Sequence, residues 1–196
     1  MKRVLGRSVI AVVLCTIVFG LAYPLLMTGF AQAFFSGKAD GSLVEVNGQV
    51  VGSKLVAQGF TSSKYFHPRP SATSPAYNAG ATTFANLGPT NPDLAKAVRQ
   101  RVRAILKLEQ PYNPGLTIGD IPVDAVTTSG SGIDPEISPA NAQLQAARVA
   151  SIRGVSKQHV LDLIAKYTDG RSLGFLGEPG VNVLTLNLAL DREASS

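Results

Sequence analysis

The chain has only two histidines, and they sit in unlike settings. His67 lies in the loop string Tyr65-Phe66-His67-Pro68-Arg69, where a general base could face a substrate. His159 falls in a stretch with helical periodicity, where a lone imidazole is most often structural. Asp134 and Glu136, one residue apart, could share a cation, although such a pair also suits the turn before a helix. Ser129-Gly130-Ser131-Gly132 could aim backbone N–H groups at a phosphate, or form a plain flexible turn. Larger catalytic signatures are missing: no G-x-x-x-x-G-K-[ST] cradle occurs, and the Ser129 to Gly132 run lacks the first glycine of a G-x-S-x-G elbow. The one cysteine, Cys15, can form neither an intrachain disulfide nor a cysteine zinc site. An enzyme acting alone is therefore disfavoured, and neither a metal site nor a cofactor of its own is expected. The catalytic alternative is a signal-peptide-bearing or anchored envelope hydrolase using His67 and Asp134.

Whatever these residues do, they are carried by a chain with a strongly apolar start. From Ser8 to Gly37 only Cys15 and Tyr23 are ionisable, and Val9 to Phe30 is long enough to cross a hydrocarbon core of ~30 Å. Lys2, Arg3 and Arg7 precede it, so the positive-inside bias keeps the N-terminus cytoplasmic and puts the rest outside. The expected organisation is a basic cytoplasmic stretch (1–7), a transmembrane helix (8–30) and one extracytoplasmic domain (38–196). A cleaved signal peptide is the rival, because Ala31-Gln32-Ala33 has the small-x-small form of a cleavage site; the apolar run, longer than a signal core needs, favours an anchor. Pro24 should kink the helix or end its regular part. Thr16 and Gly20, four apart, could let a partner helix approach closely, or be merely tolerated in lipid.

Charge excludes one class of partner. The 196 residues carry a net charge of +5 from 18 basic and 13 acidic side chains. Setting aside Lys2, Arg3 and Arg7 leaves 15 basic residues against 13 acidic, without the basic footprint that nucleic acid demands.

Local signals place the elements of the outer domain. Asn47-Gly48 between Leu43–Val46 and Gln49–Val51 predicts a hairpin. The Gly- and Pro-rich stretch from Gln58 to Thr90 predicts a long ordered loop region. Asn91 capping Pro92-Asp93 starts a helix to about Leu108, with a stripe of Leu94, Val98, Val102, Ile105 and Leu106 among basic residues. Val123 to Thr127 is the best strand candidate before Ser138-Pro139 opens a second helix, which ends at Gly154. Ser156 caps a third, reaching toward Gly170. From Val181 to Asp191 the alternation of Leu184, Leu186, Leu188 and Leu190 with polar residues predicts a half-buried strand. The fold class is α+β, a small sheet packed on two or three helices behind one transmembrane helix.

Four longer strings carry a resemblance: YFHPRPSA (Tyr65 to Ala72), NLGPTNPDL (Asn86 to Leu94), IPVDAVTTSGSGIDPEISPANAQLQAARVASIRG (Ile121 to Gly154) and GFLGEPGVNVLTLNLALD (Gly174 to Asp191). With the N-terminal anchor they make the chain resemble the C subunit of the Kdp-type potassium-transporting P-type ATPase over nearly its whole length. The resemblance implies a non-catalytic accessory subunit in the cell inner membrane, single-pass. Its implied partners are a potassium-channel-like membrane subunit, a P-type ATPase subunit that is phosphorylated, and a small membrane subunit. It also implies a catalytic chaperone that raises ATP affinity, with Ser129, Gly130, Ser131 and Gly132 as a nucleotide or partner loop. Candidates for partner contact are Thr16, Gly20, Tyr65, His67, Arg69, Asn86, Asn91, Asp134, Gln145 and Arg148. A domain outside the membrane cannot meet cytoplasmic ATP, so any effect on ATP affinity must travel through the anchor or the partners. The chain departs from the family pattern at Glu136, where a His is expected after Asp-Pro, and at Gly180, where a basic residue is expected after Glu-Pro.

Overall fold

The computed structural model describes residues 1–193 and divides into two bodies, Met1–Leu43 and a second beginning at Val44. The first is a helical rod: α1 (Lys2–Ile17), a π-helical turn (Val18–Ala22) and α2 (Tyr23–Ala39). It overruns the expected 8–30 at both ends and buries none of its side chains within the chain. Its most apolar window has a mean hydropathy of 2.5, which suits a span through lipid. The disturbance expected from Pro24 takes the form of the wide turn just before it. Proline has no N–H for the carbonyl of Gly20 and its ring pushes that carbonyl away, so the backbone admits an extra residue per turn. Near the far end Phe35 leaves helical geometry (φ −140°, ψ 36°), and Gln32 Nε2 donates to Asp40 Oδ1 at 2.9 Å across the final turns.

The second body starts with the hairpin β1 (Leu43–Val46) and β2 (Gln49–Ser53), its turn residues Asn47 and Gly48 at φ 53° and 76° as a tight I′-type connection requires. A long irregular stretch leads to α3 (Pro92–Glu109), whose Asn91 side chain accepts from the Asp93 N–H at 2.8 Å. Next come a short 3₁₀ turn (Ile118–Asp120), α4 (Val123–Val126), β3 (Glu136–Ile137), α5 (Pro139–Arg153), α6 (Lys157–Lys166), β4 (Thr168–Asp169), β5 (Gly180–Asn182) and α7 (Val183–Glu193). Strands β3 and β4 flank β5, both antiparallel, with Ile137 and Thr168 opposite Val181. The core lies between this sheet and α5, α6 and α7: Ala142, Ala146, Val149, Val160, Val181 and Leu186 have no exposed surface, and Phe66 from the irregular stretch joins them.

Two elements differ from expectation. Val123 to Thr127 is a single helical turn rather than a strand: Asp124, inside it, accepts from the N–H and hydroxyl of Ser138 (2.8 and 2.9 Å) and from Asn141 Nδ2 (3.0 Å), tying it to the start of α5. A carboxylate there also favours the α5 N-terminus electrostatically. The larger correction is Val181 to Asp191, where the strand ends at Asn182 and the leucines belong to α7. Asn182 Oδ1 accepts from the Thr185 N–H at 3.1 Å and so caps the helix. The helix is nearly surrounded by the core, with only Thr185, Leu188 and the residues from Asp191 onward reaching its surface, a helical spacing. Leucine at every second position marks such an enclosed helix as readily as a strand.

Candidate functional site

The string Tyr65 to Arg69 crosses the domain with Phe66 fully buried and its neighbours partly so. An irregular segment buried in this way must find partners for its backbone N–H and C=O groups, and side chains supply them. Asn187 of α7 takes both groups of Phe66: its Oδ1 accepts from the N–H at 2.8 Å and its Nδ2 donates to the carbonyl at 3.0 Å. Gln145 of α5 treats His67 the same way, at 2.8 and 3.1 Å. One turn on, Arg148 donates through Nη1 to the carbonyls of Ser63 and Tyr65, through Nη2 to Gln145 Oε1, and through Nε to Glu109 Oε1 at 2.7 Å. Arg153 donates to the Lys64 carbonyl at 2.8 Å and to Asp191, which also accepts from the Tyr65 hydroxyl. Two amides and two guanidiniums thus do for this segment what an adjacent strand would do.

Gln145 and Arg148 lie inside the domain, 5% and 0% exposed, with their donors and acceptors spent on this chain's own groups. Glu109 is the unforeseen partner of Arg148. Its signal was available: an acidic residue at the C-terminal end of a helix opposes the helix dipole and implies a cation elsewhere. Burial pushes the Glu109 carboxyl above its ordinary range, while the Arg148 charge and hydrogen bond pull it partly back. Asn187 was equally missed, although an amide inside a leucine run calls for a buried partner.

His67 and Asp134 are not brought together. His67 Nε2 donates to the Ser62 carbonyl at 3.2 Å, which fixes a proton on that nitrogen. Burial first, and the Arg148 charge second, hold the imidazole below its ordinary value of 6.5. Asp134 accepts from Arg69 Nη1 at 3.0 Å and from the Glu136 N–H at 3.0 Å. The base and acid of a hydrolase are thus each tied to other groups, and Asp134-x-Glu136 leads into strand β3, with Glu136 opposite Asn182, rather than forming a turn before a helix.

The Ser129 to Gly132 run closes on itself. Ser129 Oγ accepts from the Gly132 N–H at 2.9 Å and Ser131 Oγ from the N–H of Ile133, just past the run, at 3.2 Å, so one N–H of the run that could face a phosphate is engaged within the turn. Ser71 Oγ and the Thr83 N–H reach across to the carbonyls of Gly132 and Ser131, docking the turn on the long irregular stretch. Ser129, Gly130 and Asn86 also line a cavity of about 260 Å³. Asn86 itself adopts a positive φ of 49°. Among the other candidates, Asn91 caps α3 as described, and Thr16 and Gly20 share a face of the first body, where a Cβ on Gly20 would lie 3.8 Å from Thr16 Cγ2. His159 pairs with Glu193 at 2.7 Å on the surface.

The two departures from the family pattern meet in space. A Cβ on Gly180 would fall 2.9 Å from the carboxyl carbon of Glu136 across the β3–β5 ladder, so Glu136 fills the room that a side chain at 180 would use.

Among the described residues, one helix apolar and long enough to cross a membrane, joined to an α+β domain whose irregular segment is clamped by buried amides and guanidiniums, defines a membrane-associated α+β protein. The chain belongs to the family described as KdpC, the c chain of K+-transporting ATPase, which matches residues 5–192. It is 50% identical over 191 residues to the potassium-transporting ATPase KdpC subunit of Koribacter versatilis, covering 97% of this chain and 95% of that one. The subunit of the same description from Mycobacterium bovis is 51% identical over 98% of this chain and 100% of its own. That of Methylococcus capsulatus is 54% identical over 90% of each.

Proposed function

We propose that the chain is the non-catalytic accessory subunit of an ATP-driven, high-affinity potassium uptake pump, assisting assembly and turnover of a complex whose phosphorylated aspartate lies on another subunit. One observation carries this reading: the family match runs almost end to end, with relatives that are themselves potassium-transporting ATPase subunits and near 50% identical. Its partners are then a potassium-channel-like subunit, a P-type ATPase subunit and a small membrane subunit. The anchor sits in the inner membrane with Lys2, Arg3 and Arg7 on the cytoplasmic side, which the positive-inside bias supports. With the domain outside, a rise in the ATPase subunit's affinity for ATP is a coupling free energy passed through the anchor and partner helices. The internal commitment of Gln145, Arg148 and the Ser129 to Gly132 turn suits a subunit that works by shape. The test is growth in micromolar potassium of cells lacking this chain, with co-purification of the other subunits from solubilised membranes. Loss of both, restored by the intact gene, is expected; a pump that assembles and transports normally without the chain would overturn the proposal.

A further inference from the structure

A cavity of about 240 Å³ opens between α3, α5 and the segment around His67. Its walls are mostly apolar, formed by Phe60, Pro68, Pro70, Ile105, Leu108 and Leu144. The polar groups lining it are almost all engaged already: Gln145 by His67, Asn141 and Arg148, Asn141 by Asp124, and the Tyr77 hydroxyl by the Arg69 carbonyl. Arg101 and His67 also line it, each with one side-chain hydrogen bond, through Nη1 to the Val126 carbonyl and through Nε2 to the Ser62 carbonyl; among the fully buried side-chain atoms of the lining Glu109 holds the exception. It is 2% exposed, its Oε1 is taken by Arg148, and its Oε2 has no partner among the described residues. A buried carboxylate oxygen without a donor is costly, and native proteins rarely leave one so. The space far exceeds the roughly 10–15 Å³ that one water needs.

We propose that this cavity is a binding site for a small neutral hydroxyl compound, a phenol or alcohol with a compact apolar body, whose O–H donates to Glu109 Oε2. Charge selects the class. Glu109 and Arg148 together are neutral and Arg101 already lines the cavity, so an ammonium would add an uncompensated positive charge beside it. An anion would meet the free carboxylate oxygen. A hydroxyl supplies the donor that the buried Glu109 Oε2 lacks, and the apolar walls accept the rest of the molecule. Occupancy would also fix the Glu109 carboxylate that orients Arg148, and through it the Ser63 to Tyr65 backbone.

The experiment uses the full chain in lipid nanodiscs and follows 4-fluorophenol by fluorine NMR, with empty nanodiscs subtracting partition into lipid. Saturable, protein-dependent binding with Kd on the order of 1 mM is expected for so few atoms. Fluorobenzene, which fills the same volume but cannot donate, should bind at least about tenfold more weakly. Ala104 lines the cavity from the exposed side of α3, so Ala104→Phe should occlude the site and abolish saturation without altering thermal unfolding. Equal binding of the two probes, unchanged binding to Ala104→Phe, or no saturable signal would each overturn the proposal, the last meaning that the cavity holds water only.

Discussion

His67 shows how a loop residue can be tied to the stability of the whole domain. Its backbone is bracketed by Gln145, its ring donates to the Ser62 carbonyl, and the Arg148 charge lies near enough to disfavour a second positive charge. The folded state therefore prefers the neutral imidazole, and the folded-state pKa lies below the unfolded value of 6.5. Stability from this preference is fully present above pH 6.5 and is lost as the pH falls through the lowered value. Glu109 works with the opposite sign: its raised carboxyl contributes stability that is present below 4.5 and lost as the pH rises through the raised value. Urea unfolding of the detergent-solubilised chain should accordingly lose midpoint between pH 7 and pH 5 more steeply than the same measurement on His67→Gln; equal slopes would remove His67 from the titration. Glycines at this scale separate as well. Gly132 has φ +73°, and a Cβ there would meet the Thr83 carbonyl oxygen at 2.7 Å, whereas a Cβ on Gly130 meets nothing within 4 Å. Gly132→Ala should cost roughly 2 kcal/mol or more through strain and overlap, and Gly130→Ala less than about 0.5 kcal/mol. Comparable losses in the two variants would contradict the turn as described.

Elements whose ends carry their own chemistry were legible from the residues alone. Asn91-Pro92, Ser138-Pro139 and Ser156 cap three helices, Gly154 stops one at φ 70°, and Asn47-Gly48 turns a hairpin, because each of these signals acts within four residues. Two elements were misread because their type is decided by distant groups. The turn at Val123–Val126 exists to bring Asp124 to the start of α5, fourteen residues and more away, and α7 is helical inside a core that no local period reveals. The buried polar network was legible only in part, through Gln145 and Arg148, since its pairings with Glu109 and Phe66 span 39 residues and more. The two readings of α7 can be told apart by experiment. On a strand Leu186 and Leu188 would face the core alike; on the helix Leu186 is 0% exposed and Leu188 stands at the half-open edge. Leu186→Ala should therefore cost about 2–5 kcal/mol of unfolding free energy and Leu188→Ala about 1 kcal/mol or less. Similar costs at both positions would favour the strand.

For the whole molecule the question that governs every other is whether the first body stays attached to the second. The candidate cleavage string Ala31-Gln32-Ala33 lies within α2, just before the break at Phe35. Lys2–Ala39 would be roughly 57 Å long at 1.5 Å per residue, more than the ~30 Å hydrocarbon core, so a helix of that length crossing lipid would extend beyond it and hold those alanines toward its far end. Two physical arguments bear on cleavage there. The apolar run from Val9 to Phe30 is longer than a signal core of 7–15 residues and tends to remain in lipid. Ala31 to Phe34 also lie in helical backbone, up to the break at Phe35, whereas a protease must take its substrate in extended form. An uncleaved chain is the expected outcome, and the intact mass of protein extracted from membranes decides it. A mass for residues 1–196, apart from the initiator methionine, would leave Thr16 and Gly20 available to a partner helix. A product starting at Phe34 would remove the anchor altogether, and the domain would then have to reach its complex without a helix in the membrane.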